Sequence, residues 1–372
     1  MSIRQVAAPP VNSDNRSVKT LRLAVDPAHL DTDEASQSIA RAAEILRAGG
    51  LVAFPTETVY GLGANALDPA AVARIFAAKQ RPAWDPVIVH LAGPVADNPM
   101  LDSLVTEVPE PARRLMQAFW PGPLTLLLPR SAAVPNAVTA GRPLVGIRMP
   151  SHPVAFELIR QAGVPIAAPS ANTFARTSPT TAAHVLEDLD GRIDAVLDAG
   201  PTPHGVESTV LDPTQHPMVL YRPGAVTIRQ IQDIAGPVEF FQTAEPLSST
   251  PRRAQPSPGV GLRHYAPRAR LILVEAPLAE LPQKLAAAAA AYSGQRLGLM
   301  LPADLGADLP AAAIFPWGRW SAPEELARDL YSGLRTLDAQ GCTVILCPLP
   351  PPAGVGAAIR DRLGKAAHSV DD

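Results

Sequence analysis

The chain has 372 residues, of which 47% are hydrophobic and 18% are charged, a composition that excludes general disorder and predicts about two packed domains. Its formal net charge of -3 gives no support for a protein that binds nucleic acid through bulk charge. Proline is unusually frequent, at 42 residues, and this excess predicts many fixed turns.

The N-terminal region, residues 1–35, is predicted to be a tail and lead-in, because its first residues are polar and lack the apolar core of a signal peptide. No run of 18 apolar residues occurs in the chain, so no membrane span is predicted. The two cysteines, Cys342 and Cys347, have neither disulfide nor zinc spacing. We therefore expect a cytoplasmic protein.

A mixed α/β domain is predicted over residues 36–241, because helical and strand patterns alternate there. Its first helix has apolar residues at Ile39, Ala42, Ala43 and Leu46 on one face. The other elements are predicted, in chain order, as the strand LVAFPT, the helix AAVARIFAAKQRP, the strand VIVHL, the helix ARRLMQAFW, the strands LTLLLP and LVGIRMP, the helix PVAFELIRQAG, the strand VPIAAPSAN, and the segments AAHVLEDL, AVLDAG, STVLD and MVLYRPG.

A semi-rigid linker is predicted over residues 242–267, where five prolines occur with almost no apolar periodicity. A second domain follows over residues 268–372. Its predicted strands RARLILVEA, RLGLMLPA and TVILCPL alternate with helices, and this alternation predicts a small and largely parallel sheet.

The segment FPTETVYGLGANA, residues 54–66, is the first candidate site. After a predicted strand it offers the hydroxyl of Thr58 and the backbone donors of a flexible Gly61-Leu62-Gly63 stretch, which could hold a phosphate or a carboxylate. It has neither the P-loop nor the dinucleotide-binding glycine spacing. A structural turn explains this segment equally well.

The segment KQRPAWDPVIVH is the second candidate site. Lys79 and Arg81 stand at the end of a predicted helix, where both could face an anion, and Lys79 is the only lysine between residues 20 and 283. Cations that complement the helix dipole are the alternative. His90 ends the following strand and by itself is more typical of a structural histidine.

Small polar and cationic residues follow several further strands. The loop APSANTFARTSP has hydroxyl and amide groups that also fit loop capping, whereas the other residues stand at the ends of apolar strands, where ligands of α/β sheets often bind. The loop residues are Ser170, Asn172 and Ser178, and the strand-end residues are Arg148, Ser208 and Arg222. Together these groups indicate a pocket for a polyanion.

Other catalytic templates fit poorly, because the chain has no GxSxG, HExxH or HRD-type motif. Glu57 and Glu207 could act as acid and base, but nothing in the sequence brings them together. Electrostatic positioning of a phosphate is therefore favoured over covalent or acid–base catalysis.

As a set, the motifs resemble the two-domain Sua5 form of the Sua5/YrdC/YwlC family, the threonylcarbamoyl-AMP synthases, over about residues 36–372. The matching elements occur in the family's order: PTETVYGLG, the K-x-R of Lys79 and Arg81, DPVIVH, WPGPLT, VGIRMP, the S-x-N of Ser170 and Asn172, ESTVLD, RPG and SPGVGLRHYAP.

The resemblance implies a twisted mixed-sheet YrdC-like domain with a concave positive cavity, and a smaller Rossmann-like C-terminal domain. It also implies a nucleotidyltransferase that joins L-threonine, bicarbonate and ATP, with Mg²⁺, to give threonylcarbamoyl-AMP and pyrophosphate for the t6A modification of tRNA. The implied partners are the proteins that transfer the product to tRNA, together with a weak contact to tRNA itself.

The resemblance assigns roles to residues at matching positions. Lys79 and Arg81 are the implied catalytic pair. Threonine would be bound by Thr58, His90, Arg148 and Ser208, and ATP by Arg81, Asp85, Ser170, Asn172, Ser178, Arg222, His264 and Tyr265. Asp85 departs from the family's usual Asn, and its carboxylate accepts hydrogen bonds but cannot donate them as an amide does. His264 and Tyr265 belong to an HYAP element that resembles a lid over the site.

Two other functions fit parts of the pattern. A module that binds double-stranded RNA or tRNA without catalysis shares the domain shape, although the near-neutral charge disfavours it. The carbamoyltransferases of hydrogenase maturation also contain a similar domain, but they carry paired CxxC zinc motifs, and this chain has none.

Overall fold

The computed structural model describes residues 19–242, 255–257, 264–306 and 313–367. The start of the predicted tail and most of the predicted linker lie outside these residues. Over the described ranges the chain forms one mixed sheet of eleven strands and one sheet of four strands. We call the parts built on them the large-sheet unit (residues 19–242) and the small-sheet unit (residues 268–367).

The elements of the large-sheet unit are β1 (Leu21–Ala24), α1 (Asp33–Arg47), β2 (Val52–Phe54), β3 (Gly61–Asn65), α2 (Pro69–Lys79), β4 (Ile88–His90), α3 (Pro99–Leu104), α4 (Glu110–Phe119), β5 (Leu124–Pro129), α5 (Asn136–Thr139), β6 (Leu144–Arg148), α6 (Pro153–Ala162), β7 (Ile166–Ala167), α7 (Ala182–Leu189), β8 (Ala195–Asp198), β9 (Thr209–Asp212), β10 (Met218–Arg222), α8 (Ile228–Ala235) and β11 (Val238–Phe240). Those of the small-sheet unit are β12 (Arg270–Val274), α9 (Leu281–Ala291), β13 (Leu297–Leu301), β14 (Ala313–Pro316), α10 (Pro323–Ala339), β15 (Val344–Pro348) and α11 (Gly356–Ala367).

The small sheet has the strand order β12-β15-β13-β14, and each of its pairings is parallel. This confirms the prediction of a small parallel α/β sheet. Parallel strands bury both faces, and accordingly β15 is buried along its whole length between helices.

The large sheet has the order β1-β8-β2-β3-β7-β4-β6-β5-β9-β10-β11. Strands β4 and β6 run parallel, and β10 runs antiparallel to its neighbour β9. The strand directions place the carboxyl ends of β4, β6 and β10 at one edge of the sheet, together with the start of β9. Strand β7 runs antiparallel to β4, so its carboxyl end lies toward the opposite edge.

Helix α1 illustrates how local sequence sets an element. The Thr32 side chain accepts a hydrogen bond from the Ala35 amide and so caps the first turn. The predicted apolar face is confirmed, because Ile39, Ala42, Ala43 and Leu46 are all buried. The helix begins at Asp33, three residues before the predicted domain start at residue 36, since the cap and not the apolar pattern defines its first turn.

One element was not foreseen, and one local prediction was wrong. Strand β1 lies in the segment predicted as a lead-in, where it pairs in parallel with β8. The Gly61-Leu62-Gly63 stretch, predicted to be flexible, is the start of the buried strand β3. Glycine is needed there for close packing: a Cβ on Gly63 would lie 2.7 Å from a ring carbon of Phe54.

The two units share a hydrophobic core. Val59 and Val206 from the large-sheet unit and Tyr265 from the linker are buried in one cluster with residues of α10 and α11 such as Tyr331 and Leu363. Tyr265 of the predicted linker therefore packs between the units. None of the described helices has both the length and the apolar character to span a membrane.

Candidate active site

A cavity lies against the large sheet and is closed on one side by linker residues. It is lined by Thr56, Thr58, Val59, Gly61, Arg81, Pro86, Val87, Ile88, His90, Arg148, Ala168, Pro169, Ser170, Glu207, Ser208, Arg222, His264 and Tyr265. The lining includes nine of the predicted site residues. The other four, Lys79, Asp85, Asn172 and Ser178, lie behind it.

Thr58, Glu57 and Arg148 meet at the carboxyl end of β6. The Arg148 guanidinium donates a hydrogen bond of 3.0 Å to the Thr58 hydroxyl and forms a 2.7 Å ion pair with Glu57. Its Nε also donates to the carbonyl of Gly122 at 3.3 Å. Arg148 is thereby held in one orientation at the cavity wall.

His90 ends β4 beside Arg148, because the parallel register of β4 and β6 pairs the two positions directly. Burial, reinforced by the charge of Arg148, lowers the pKa of His90 to about 3. The imidazole is therefore neutral at pH 7. Burial opposes ionisation of Glu57 as well, but the charge and hydrogen bond of Arg148 outweigh it and lower the pKa of Glu57.

Ser208 and Arg222 meet because β9 begins where the antiparallel β10 ends. The Arg222 Nε donates to the Ser208 carbonyl at 3.0 Å, and its Nη2 donates to the Ser208 hydroxyl at 3.1 Å. The Ser208 hydroxyl also lies 2.8 Å from that of Thr125. Ser208 and Arg222 therefore lie next to each other in the cavity wall.

Arg81 lies just beyond the end of α2, where Gln80 adopts a left-handed conformation with φ 54°. Its guanidinium donates to the Pro86 carbonyl at 2.7 Å and forms an ion pair of 3.0 Å with Asp85. Both side chains are buried. Asp85, predicted to contact ATP, thus serves first as the partner of Arg81 and does not line the cavity.

Lys79 is fully buried and does not line the cavity either. Its ammonium donates hydrogen bonds to the carbonyl oxygens of Ser170 and Asn172, so it ties the end of α2 to the loop after β7. Burial and then the charge of Arg81 lower the pKa of Lys79 well below its usual value. In this structure Lys79 shapes the wall that presents Ser170.

Asn172 and Ser178 form hydrogen bonds with other groups of the protein and do not line the cavity. The Asn172 amide donates to the carbonyls of Thr173 and Arg176, both at 2.8 Å. The Ser178 hydroxyl donates to Glu207 Oε1 at 2.6 Å. Asn172 therefore caps the loop, whereas Ser178 connects the loop to Glu207.

His264 and Tyr265 cover the cavity from the linker. The ring of His264 contacts those of Phe174, at a centroid distance of 5.6 Å, and Tyr265, at 4.3 Å. Both His264 nitrogens and the Tyr265 hydroxyl are buried and have no hydrogen-bond partner among the residues that the structure describes. Burial and then the charge of Arg81 lower the pKa of His264 far below its usual value, so the ring is neutral.

Sequence reasoning missed two residues of the small-sheet unit that reach the cavity wall. Arg362 forms an ion pair of 2.7 Å with Glu207, and the Tyr331 hydroxyl donates to the same carboxylate. The signal for Arg362 was its position on the apolar face of α11, between Ile359 and Leu363, which are buried. An arginine there requires a buried acidic partner.

The carboxylates at the cavity form ion pairs with arginines and do not form a metal-binding cluster. Glu57 and Glu207 face different cations, which argues against the acid–base pair considered from the sequence. Among the described residues no group of three or more His, Cys, Asp or Glu side chains could hold a metal ion. The arrangement favours electrostatic binding of an anionic ligand.

Comparisons with known proteins agree with this geometry. Residues 44–224 match the Sua5, YciO and YrdC family described as "Telomere recombination", and residues 226–368 match the C-terminal domain of threonylcarbamoyl-AMP synthase. The threonylcarbamoyl-AMP synthase of Pyrococcus abyssi is 44% identical, with 88% of this chain and 93% of the relative covered. That of Bacillus subtilis is also 44% identical, with 94% and 98% covered.

Solved structures give the same result over both units. The crystal structure of P. abyssi Sua5 complexed with L-threonine is 41% identical and has a TM-score of 0.85, with 94% of this chain and 98% of that chain covered. A variant of the same protein with a His and a Tyr replaced by alanine has a TM-score of 0.83 at 40% identity, with 94% and 96% covered.

Proposed function

This chain belongs to the Sua5 family of threonylcarbamoyl-AMP synthases, and from that premise we propose that its cavity forms threonylcarbamoyl-AMP and pyrophosphate from L-threonine, bicarbonate and ATP, as a nucleotidyltransferase. The observation that carries the proposal is the convergence of Arg81, Arg148 and Arg222 on one cavity. These arginines are always charged, so they suit a reaction between two anionic reactants.

We assign the binding of threonine to the end of β6. Arg148 would pair with the amino acid carboxylate, with Thr58, His90 and Ser208 around it. The hydrogen bond from Arg148 to Thr58 and the ion pair to Glu57 hold the guanidinium in place before the substrate arrives. Fixed charges of this kind lose little energy to reorganisation during reaction.

We assign the binding of ATP to the part of the cavity between Arg81, Ser170 and Arg222, covered by His264 and Tyr265. The buried and unpartnered polar atoms of His264 and Tyr265 support this assignment, because such groups are costly unless a ligand supplies the hydrogen bond. Asp85, Asn172 and Ser178 would act indirectly by orienting Arg81 and the loop.

The carbamate oxygen formed from threonine and bicarbonate would attack the α-phosphorus of ATP, and pyrophosphate would leave. Mg²⁺ bound to the phosphates would neutralise charge on the leaving group. The carboxylates that line or adjoin the cavity are paired with arginines, so the residues present fit an ion that enters with the triphosphate better than one held by protein ligands. Arg81 would place a positive charge beside the phosphates, and Lys79 would hold the cavity wall next to them.

We also propose that the protein works in the cytoplasm and passes its product to the proteins that form t6A in tRNA. Threonylcarbamoyl-AMP is a mixed anhydride and reacts with water, so a covered cavity and a downstream acceptor suit its chemistry.

The test is pyrophosphate release by the purified protein. We expect release that requires ATP, L-threonine and bicarbonate together, and a loss of about 10²-fold or more in Arg222→Gln and Arg148→Gln, because each removes a charge aimed at an anionic reactant. The matched control is Arg160→Gln, which removes an exposed arginine that pairs with Glu157 and should keep wild-type rates.

Release that is independent of threonine and bicarbonate would refute the synthase assignment. Wild-type rates in both cavity variants would refute the binding roles of the two arginines while leaving the reaction itself in place.

A further inference from the structure

Glu207 is an acidic side chain in the wall of a cavity that otherwise presents cations. It immediately precedes Ser208, lines the cavity and is buried. Its carboxylate accepts hydrogen bonds from Ser178 at 2.6 Å and from Tyr331 at 2.9 and 3.1 Å. An unpaired carboxylate at this position would repel the phosphates and the carboxylate of the proposed substrates.

The cation that neutralises Glu207 comes from the other sheet unit. Arg362 on α11 donates from Nε to Glu207 Oε2 at 2.7 Å and from Nη2 to the Glu207 carbonyl at 3.4 Å. Its side chain is 0% exposed. Tyr331 on α10 adds its hydroxyl from the same unit. The small-sheet unit thus supplies two of the groups that hold this carboxylate.

Arg362 is itself held in place from two sides. Its Nη1 donates to the Asp361 carboxylate at 2.6 Å, and its guanidinium lies 5.3 Å from the centre of the Tyr265 ring. Because Tyr265 lines the cavity, Arg362 connects the linker residue to Glu207. This orientation leaves the guanidinium little freedom to move away from the carboxylate.

The alternative partner for Glu207 is Arg222. The two charges interact, and Arg222 already donates to Ser208. If Arg362 were absent, Arg222 would be the remaining arginine close to the Glu207 carboxylate. The charge of Arg222 would then pair with this carboxylate and not with a ligand. The groups that face Glu207 are Ser178, Arg222, Tyr265, Tyr331 and Arg362.

We propose that Arg362 is a positioning residue of the active site: it neutralises Glu207 across the interface and so leaves Arg222 and Ser208 available to the substrates. The small-sheet unit then completes the charge pattern of the cavity, beyond its packing role. This inference rests on the proposed function only in the identity of the anions that bind.

The variant Arg362→Gln tests the proposal. We expect kcat/KM for ATP to fall about 10²-fold at pH 8, the size seen when one partner of a buried charge pair is removed. The loss should be smaller at pH 6. Loss of Arg362 removes the largest of the charges that hold the pKa of Glu207 down, so this pKa rises in the variant. A larger share of the carboxyl groups is then neutral on the acid side, and the cavity regains positive charge.

The double variant Glu207→Gln/Arg362→Gln separates positioning from packing. It removes both charges, so we expect kcat/KM for ATP within about fivefold of wild type. The ratio of the wild-type to the variant kcat/KM should be the same at pH 6 and at pH 8. A double variant as impaired as Arg362→Gln, or a pH-independent loss in the single variant, would overturn the proposal in favour of a structural role.

Two further variants secure the result. Arg360→Gln is the matched control on the same helix, because Arg360 pairs with Glu275 within the small-sheet unit, and it should behave as wild type.

Tyr331→Phe removes only the hydroxyl bonded to Glu207 and serves if Arg362→Gln fails to fold by circular dichroism. It should show a loss of a few-fold with the same pH trend, and an unchanged pH profile would contradict the proposal.

Calorimetric titration with ATP and Mg²⁺ keeps this inference distinct from the proposed reaction. If the wild type binds ATP and the variants weaken binding in the expected pH-dependent pattern, the inference stands even when no threonine-dependent pyrophosphate release occurs. If release occurs but ATP affinity and kcat/KM are unaffected by Arg362→Gln at every pH, the reaction stands and the inference fails.

Discussion

The acidic side chains around the cavity each face an arginine across a short distance. The pairs are Glu57 with Arg148 at 2.7 Å, Asp85 with Arg81 at 3.0 Å and Glu207 with Arg362 at 2.7 Å. All six side chains are buried, so each pair lies where removal of one partner is costly. The pairs fix the guanidinium groups before a ligand binds, and this is the physical basis of the proposed electrostatic catalysis.

Histidine residues make the stability of the protein depend on pH. His184 on α7 accepts a hydrogen bond at Nδ1 from the Thr180 amide at 3.3 Å. Burial, with a contribution from the charge of Arg335, lowers the pKa of His184 to about 4 from 6.5. Between these values the unfolded chain binds the proton more readily, so protonation favours unfolding.

We therefore expect the free energy of unfolding to fall as the pH drops from 6.5 to 4.5, with His184 contributing about 1 to 2 kcal/mol of that fall. Urea unfolding of wild type and His184→Gln over this range measures it, and the curve of the variant should be shallower. His216→Gln, which replaces an exposed histidine, should follow the wild type. Parallel curves for wild type and His184→Gln would exclude this contribution.

Strand β3 shows how an element can differ from its local sequence pattern. Gly61 and Gly63 suggest flexibility, yet β3 pairs with β2 on one side and β7 on the other inside the large sheet. The absence of a side chain lets the strand pack closely against Phe54 and Ile166. Because β3 follows the Thr58 turn directly, its rigid position also fixes that part of the cavity.

A methyl group at Gly63 should therefore destabilise the protein. Its Cβ would lie 2.7 Å from Phe54 Cε1 and 2.8 Å from Ile166 Cγ2, and overpacking of this kind costs about 1 to 3 kcal/mol. We expect Gly63→Ala to lower the melting temperature clearly. Gly294→Ala is the control, since a Cβ at Gly294 would meet no atom of the described residues within 4 Å. Equal melting temperatures of the two variants would contradict the packing argument.

At the scale of the whole molecule, the cavity depends on the contact between the two sheet units. Gly205 lies at this contact with φ +71°, and a Cβ there would collide with the backbone of Ala327 and Arg328 in α10. The same helix carries Tyr331, which donates to Glu207. Close approach of the units at Gly205 is thus linked to the position of a cavity carboxylate.

We expect Gly205→Ala to lower both pyrophosphate release and the melting temperature, because α10 must shift to accommodate the methyl group. Gly200→Ala is a matched control: Gly200 also has a positive φ, of +80°, but a Cβ there meets no atom within 4 Å. It should show only the backbone strain, about 1 to 2 kcal/mol, with near-normal activity. Equal activity losses in both variants would argue that strain and not the interface is responsible.

The sequence by itself determined the family, the α/β class, the parallel second sheet and half of the residues that line the cavity. Apolar periodicity and strand-end motifs are local features, so Arg148, Ser208 and Arg222 could be identified without knowing their neighbours. The comparisons confirm the predicted family and fold. The individual roles assigned to these residues stay predictions.

Only the tertiary structure decided which charges meet. Arg362 and Glu207 are 155 residues apart in the chain, and no local pattern selects one arginine among the 32 cations of the sequence as the partner of a given carboxylate. Lys79 likewise has the sequence position of a catalytic cation, but the fold directs its ammonium to the carbonyls of Ser170 and Asn172. The periodicity of apolar residues predicts whether a side chain is buried. Which residue that side chain contacts depends on how elements that are distant in the sequence pack together.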